Sequence, residues 1–296
     1  MSSQQKVALI TGGASGMGLA VAQKLSNLGN WSIHIIDLNE KTGKEAMESV
    51  PRSMFHQCDV TSYAALGNVF KAVFQEFNRL DFVFANAGIH EMGTTGDFFA
   101  KHTTGLEPPA EPTAKHRVVE VCLNSVINTS YLALHYFRQN PDHRNIDCNL
   151  IITASCGSFY HSSNAPVYTA AKHGIVGFMR SIAAKMYAHD RIRVNAICPG
   201  AVITGLFTQK QWDAFPEHLR IPLSHVVEVV SMLLEGKLKD GVDEAQLRID
   251  GPKKEKENEP LWGEAVEITP SRYYFREAPK FSDDSMRENM EAANPE

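Results

Sequence analysis

The sequence predicts an α/β fold, a doubly wound parallel sheet carried by a single domain. Three observations point to it. Short, β-rich apolar runs alternate with amphipathic stretches of helical length, the pattern of strands buried on both faces and joined by crossover helices. A glycine-rich turn joins the first run to the first helical stretch, and no internal repeat breaks the alternation. Hydrophobic residues make up 43% of the 296 positions, enough for one large core.

The elements follow in order. Lys6–Ile10 (KVALI) is an apolar strand cut off by Thr11-Gly12-Gly13, and Met17–Leu28 has helical spacing. Between them Gly12, Gly16 and Gly18 are spaced GxxxGxG, which lets the backbone turn tightly. With Ser15 and Met17 they place a helix N-terminus, with its unpaired N–H groups and positive dipole end, where it can hold a pyrophosphate. This junction makes the sheet a Rossmann-type candidate for dinucleotide binding. Trp31–Asp37 (WSIHIID) is the next strand, and its last residue, Asp37, lies 19 residues beyond Gly18. A carboxylate there accepts hydrogen bonds from an adenosine ribose and repels a 2′-phosphate. Leu38 and Asn39 supply no cation, and Ser15 stands where a phosphate-binding Arg or Lys would sit. NAD is therefore expected rather than NADP. The plainer reading of Asp37 is an acidic cap for the following helix.

Ser62–Phe77 is helical, Leu80–Gly88 (LDFVFANAG) is the fourth strand, and Glu91–Pro112, rich in Gly, Thr and Pro, is expected to be a long loop beside the pocket. Ala114–Phe137 and Val167–Tyr187 are helices flanking the fifth strand, Cys148–Ser155 (CNLIITAS). Arg191–Gly200 (RIRVNAICPG) is the sixth strand. Residues 201–221 follow it and carry Phe207, Trp212 and Phe215. This segment reads as a substrate lid, which implies an apolar or aromatic substrate; ordinary packing accounts for the three rings equally well. Pro222–Leu234 is a further helix, 236–263 a charged insert containing PKKEKENEP, Glu264–Thr269 (EAVEIT) a last strand, and 270–296 a polar tail.

Tyr168 and Lys172 follow Pro166 at positions i and i+4, so they share a helix face. A phenol titrates at about 10, and a neighbouring cation stabilises the phenolate. The pair is either a tuned acid/base or two neighbours on one face. Ser155, thirteen residues before Tyr168, ends a strand at the carboxyl edge of the sheet. Ligands bind along that edge in this architecture.

Taken together, Thr11-Gly-x-x-x-Gly16-x-Gly18, Asp59, Asn86-Ala87-Gly88, Asn124, Ser155, Tyr168-x-x-x-Lys172 and Pro199-Gly200 resemble, in order and spacing, the short-chain dehydrogenase/reductase family. The resemblance runs from residue 6 to about 235 and loosely includes the last strand. It implies that Tyr168 is the general base for a secondary alcohol, or the acid for a ketone. Lys172 would lower the tyrosine pKa and bind the nicotinamide ribose. Ser155 would hold the substrate oxygen, and Asn124 a relay water. By the same resemblance Asp59 and Val60 would bind adenine, Asn86 and Gly88 would line the adenosine ribose, and Pro199, Gly200, Val202 and Thr204 would hold the carboxamide. Ala85 departs from the pattern, where many members carry a second Asn. LALHYFRQNP and the segment after EAVEITPSRYYFRE are similar to the 15-hydroxyprostaglandin-dehydrogenase-like branch and to fungal natural-product tailoring relatives. NAD-linked oxidation is the direction Asp37 implies, with NADH-dependent carbonyl reduction as the runner-up.

Other features narrow the field. Net charge is -5, from 29 basic and 34 acidic residues, which offers no electrostatic surface for nucleic acid. Five widely spaced cysteines without a CxxC pair fit neither a disulfide framework nor a zinc site, and no metal is expected among the twelve histidines. No apolar run is long enough for a membrane span, no signal peptide is evident, and a cytoplasmic protein is expected. Asn128-Thr129-Ser130 reads as a chance sequon inside a helix. Cys156 reads as a packing residue. His90, His161 and Phe159 are candidates to border the pocket. The helices Ala114–Phe137 and Val167–Tyr187 are more apolar than one buried face requires. The family resemblance makes them the pairing surface of a homodimer or homotetramer. Two readings of other classes stay open: a catalytically silent NAD-binding module, and non-redox tailoring such as cyclisation.

Overall fold

Strand β1 (Lys6–Thr11) lies inside the sheet because both of its faces are apolar. Val7 and Leu9 enter one core while Ala8 and Ile10 enter the other, all fully buried. The computed structural model describes residues 5–91, 106–108, 113–238, 247–249 and 259–294. From β1 the chain runs through α1 (Gly16–Leu28), β2 (Trp31–Asp37), α2 (Glu40–Ser49), β3 (Ser53–Gln57), α3 (Tyr63–Phe77) and β4 (Phe82–Ala85). After α4 (Thr113–Val119), one π-helical turn (Glu120–Asn124) and α5 (Ser125–Gln139) come β5 (Asn149–Thr153), α6 (Pro166–Asp190) and β6 (Arg193–Pro199). The remainder is α7 (Gln209–Asp213), α8 (Leu223–Glu235), β7 (Arg248–Ile249), β8 (Ala265–Ile268), β9 (Tyr273–Arg276) and α9 (Asp284–Ala293).

Among the described residues these strands form one nine-stranded sheet in the order β3-β2-β1-β4-β5-β6-β8-β9-β7. Every pairing from β3 to β8 is parallel. Helices α3, α5 and α6 cover one face, burying Phe70, Phe137 and Met179; α1 and α8 cover the other, burying Leu25 and Leu233. β1 pairs with β2 on one side and β4 on the other, so the strand order reverses there. That reversal opens a crevice at the carboxyl ends of β1 and β4. Among the described residues no helix is long and apolar enough to cross a membrane.

The structure departs from the sequence reading in two elements. The helix expected over Ala114–Phe137 is broken by the π turn that ends at Asn124, a widening common at functional sites. The sheet also does not stop at EAVEIT. Inside the expected polar tail, 270–296, the chain turns at Thr269–Arg272 and returns as β9, antiparallel to β8. Phe275 of β9 is fully buried. The charges that made this segment look solvated are paired instead: Arg276 with Glu267, and Arg248 with Glu264 and Glu277. Most of the loop Glu91–Pro112 and of the insert 236–263 lies outside the described residues.

Candidate active site

The crevice begins with the glycine turn. Gly12 and Gly16 adopt φ of +62° and +52°, the left-handed region that favours glycine. A Cβ on Gly18 would lie 2.3 Å from the Gly12 carbonyl oxygen, and one on Gly16 would lie 2.9 Å from Thr204 Cγ2. Ser15, the N-cap residue of α1, makes no side-chain cap, and the first turn of α1, which includes Met17, carries no acidic residue. An uncapped, acid-free helix N-terminus behind a turn that admits no side chains fits the pyrophosphate of a nicotinamide dinucleotide.

Asn86 fastens this turn to the sheet. Its amide nitrogen donates to the carbonyls of Thr11 and Gly12, both at 3.2 Å, and its carbonyl accepts from Thr153 Oγ1 at 3.0 Å. Asp37 ends β2 with one carboxylate oxygen accepting from Ala14 N at 3.1 Å and the other from Asn39 N at 3.2 Å. The cap of α2 is Asn39, whose side chain accepts from the N–H groups of Lys41 and Thr42; the plainer reading of Asp37 as that cap does not hold. Asp59 accepts from Thr61 and from Arg117 Nη2 at 2.7 Å, with Val60 buried beside it. Burial alone would raise the Asp59 pKa, but these hydrogen bonds outweigh it and hold the carboxyl below its ordinary range. Pro199 ends β6, Gly200 N donates to Ile268 O at 3.1 Å, and Val202 bridges to Ile221.

Ser155 follows β5 and caps a single tight turn, its hydroxyl accepting from Gly157 N at 3.1 Å. Tyr168 is half-buried in the first turn of α6, and Lys172 one turn later is fully enclosed. The Lys172 ammonium donates to Thr153 O at 2.7 Å and lies 5.6 Å from the Tyr168 ring centroid. Ser155 Oγ and the Tyr168 ring both border Gly157, and Ser155 favours the ionised form of the phenol. Burial is the larger influence, and with Cys122 and Cys156 it pushes the phenol well above its ordinary range. Burial lowers the pKa of Lys172 in turn. A Cβ on Gly88 would lie 3.9 Å from Lys172 Nζ, so this glycine flanks the lysine. Asn124 closes the π turn with its amide donating to Glu120 Oε1 at 3.1 Å.

His90 and the 201–221 segment contribute a chain of ring contacts. His90 packs with its ring centroid 4.5 Å from Tyr168 and 4.7 Å from Phe207. Phe207 in turn meets Trp212 at 5.2 Å, and Trp212 meets Phe215 at 6.1 Å. Trp212 is buried and donates from its indole to Thr204 O at 3.1 Å, so it serves as the core of this segment. Ile221 N bonds Ala201 O at 2.7 Å and closes the base of the 201–221 loop. Burial brings the His90 imidazole down to about 4, so it is neutral. Two candidates stand apart from this cluster. Phe159 packs under the Arg276 guanidinium, 4.5 Å from its centroid. His161 is exposed and makes no hydrogen bond or ring contact among the described residues. Three participants went unrecognised in the sequence: Glu91, Arg117 and Thr153. Of these only Glu91 left a trace, because Ala165 is a poor helix cap and some other acceptor had to serve α6. Among the described residues no group of His, Cys, Asp and Glu is placed to hold a metal ion.

The family model described as short chain dehydrogenase matches residues 6–214. The Penicillium rubens protein named short-chain dehydrogenase/reductase prx7 is 42% identical over 280 residues, 93% of this chain and 95% of that protein. The Homo sapiens protein named 15-hydroxyprostaglandin dehydrogenase (NAD+) is 34% identical over 209 residues, 68% of this chain and 70% of that protein. Among solved structures, 3-ketoacyl-(acyl-carrier-protein) reductase from Brucella melitensis, complexed with NADH, shares the fold. Its TM-score is 0.71 at 22% identity, over 91% of this chain and 98% of that one. The matched span contains the glycine turn, the Ser155 turn and the Tyr168 helix, and the chain accordingly belongs to the short-chain dehydrogenase/reductase family of nicotinamide-dependent oxidoreductases.

Proposed function

We propose that this enzyme uses NAD to interconvert a secondary alcohol and a ketone on an apolar or aromatic small molecule, with Tyr168 as general acid/base. One observation carries the reading: Ser155, Tyr168 and Lys172 converge at the carboxyl edge of β5, next to the glycine turn that Asn86 ties to the same strand. The dinucleotide, when bound, supplies the hydride acceptor or donor. The Tyr168 phenolate accepts the proton of the alcohol, and in the reverse direction the phenol returns it to the ketone oxygen. Ser155 donates to the same oxygen and stabilises charge that develops there. Lys172 binds the nicotinamide ribose, and Asn124 holds a water that carries the proton outward. Asp37 would accept from the adenosine ribose and disfavour a 2′-phosphate. Asp59 and Val60 would hold the adenine; Pro199, Gly200, Val202 and Thr204 would hold the carboxamide.

His90 and Phe207 form a wall beside Tyr168 that suits a planar apolar substrate. Likeness to the Penicillium rubens protein supports a place in natural-product tailoring. Five free cysteines are compatible with the cytosol. A homodimer or homotetramer built on α5 and α6 is supported by Tyr131, 65% exposed on α5, and by open space around Gly177 of α6; a single-chain mass by light scattering would refute it.

The decisive experiment follows NADH formation from secondary aryl carbinols such as α-methylbenzyl alcohol and α-tetralol. Tyr168→Phe should lower kcat by about 10²–10⁴-fold and leave NAD affinity intact. An unchanged kcat would overturn the assignment.

A further inference from the structure

We infer that Glu91 is a positioning residue for Tyr168, a remote cap that fixes the catalytic helix from the far side of the crevice; this rests on the acid/base reading of Tyr168. The first turn of α6 has an uncommon problem. Its N-cap residue is Ala165, which offers no side-chain acceptor, and Pro166 at the first helical position has no N–H. The helical ladder starts only with Thr169 N donating to Ala165 O at 2.9 Å. The N–H groups of Val167 and Tyr168 remain, and both would be orphaned within a largely enclosed site.

Glu91 supplies the missing acceptor. Its side chain is buried, at 3% exposure, and a single carboxylate oxygen accepts from Val167 N at 2.8 Å and from Tyr168 N at 3.0 Å. The contact spans 76 residues of sequence and joins the loop after β4 to the helix that carries the acid/base. A carboxylate at a helix N-terminus also meets the positive end of the dipole. The preceding residue, His90, lays its ring 4.5 Å from the Tyr168 ring. Adjacent residues of one loop therefore hold Tyr168 at two places, by its backbone N–H and by its ring face. Cys122 holds the same loop from a third side, its thiol donating to Ile89 O at 3.0 Å. The phenol can be delivered to a substrate oxygen only if this turn stays in register, and small misplacements of reacting groups are costly.

The test compares Glu91→Gln, Glu91→Asp and Glu91→Ala with the wild type and with Tyr168→Phe, using NAD and α-methylbenzyl alcohol. Gln keeps the reach and an acceptor but drops the charge; Asp keeps the charge but falls one methylene short. Glu91→Ala and Glu91→Asp are expected to lose about 10–100-fold in kcat, with KM for NAD little changed. Glu91→Gln should keep most of the wild-type kcat. Amide hydrogen exchange in the peptide spanning residues 166–170 should quicken in Ala and Asp and stay slow in Gln. That measurement needs no substrate. If Glu91→Ala does not fold, the Asp and Gln variants decide between them. Unaltered kcat and exchange in Glu91→Asp, or a Gln variant as impaired as Asp, overturns the inference. A fully active Tyr168→Phe refutes the acid/base reading instead. An inactive Tyr168→Phe beside an unimpaired Glu91→Asp refutes the clamp alone.

Discussion

On the proposed reading, Asp37 is the side chain that sets cofactor choice. Its two carboxylate oxygens are held by Ala14 N and Asn39 N, so the group is fixed at the mouth of the glycine turn. A 2′-phosphate placed there would meet a fixed negative charge, while ribose hydroxyls would find acceptors. Asp37→Ala is therefore expected to weaken NAD by about 10-fold or more, the loss of one to two charge-assisted hydrogen bonds, and to improve NADP. Dissociation constants from fluorescence titration with both dinucleotides check this; equal wild-type affinity for the two would contradict it. Residues of this kind were legible in the sequence because their chemistry is local. Gly12, Gly16 and Gly18 are dictated by backbone geometry, and Tyr168 and Lys172 by one turn of helix. Glu91 and Arg117 were not legible, since each acts through a contact more than fifty residues away in sequence.

The elements that position these side chains were read with uneven success, for physical reasons. Central strands such as β1, β5 and β6 are apolar on both faces and announce themselves. β9 does not, because Arg276 and its neighbours look solvated until their partners are known. Arg276 ties β9 to Glu267 of β8, donates to the Tyr160 hydroxyl at 2.8 Å and covers the Phe159 ring. The last element of the sheet thereby holds the segment that follows the Ser155 turn. Helix α6 grips β9 as well, with Arg180 Nη2 donating to the carbonyls of Arg276 and Glu277, both at 2.9 Å. Arg276→Ala leaves the Glu267 carboxylate, 9% exposed, without its guanidinium. Removing one partner of such a buried pair costs about 3 kcal/mol. Urea unfolding should show that loss, whereas Arg287→Ala on the exposed helix α9 should leave the midpoint where it is. Equal midpoints for the two variants would mean that β9 is an appendage, with no part in holding the Ser155 segment.

At the scale of the whole molecule, stability and catalysis both favour neutral to alkaline conditions. With its pKa raised, the half-buried Tyr168 phenol keeps its proton at neutral pH, so alcohol oxidation should gain as pH rises. On the acid side the sensitive point is a histidine pair between β2 and β3. His34 is 1% exposed and its Nδ1 shares a hydrogen bond of 3.0 Å with His56 Nε2, while Phe77 packs edge-on against the His34 ring. Burial, reinforced by His56, brings His34 down to about 4; burial also lowers His56, against the opposing charge of Glu76. A histidine whose folded pKa is depressed contributes full stability above its unfolded value of about 6.5. As pH falls, the unfolded chain takes up the proton first, so stability declines through the window between about 6.5 and 4. For His34 alone the loss is on the order of 3 kcal/mol. Thermal unfolding followed from pH 7 downward should show the midpoint falling through that window. His34→Gln, which can still hydrogen-bond His56 but does not titrate, should flatten the slope even if it lowers the plateau. A variant with the same slope as the wild type would place the acid sensitivity elsewhere, His90 being the next buried imidazole to examine.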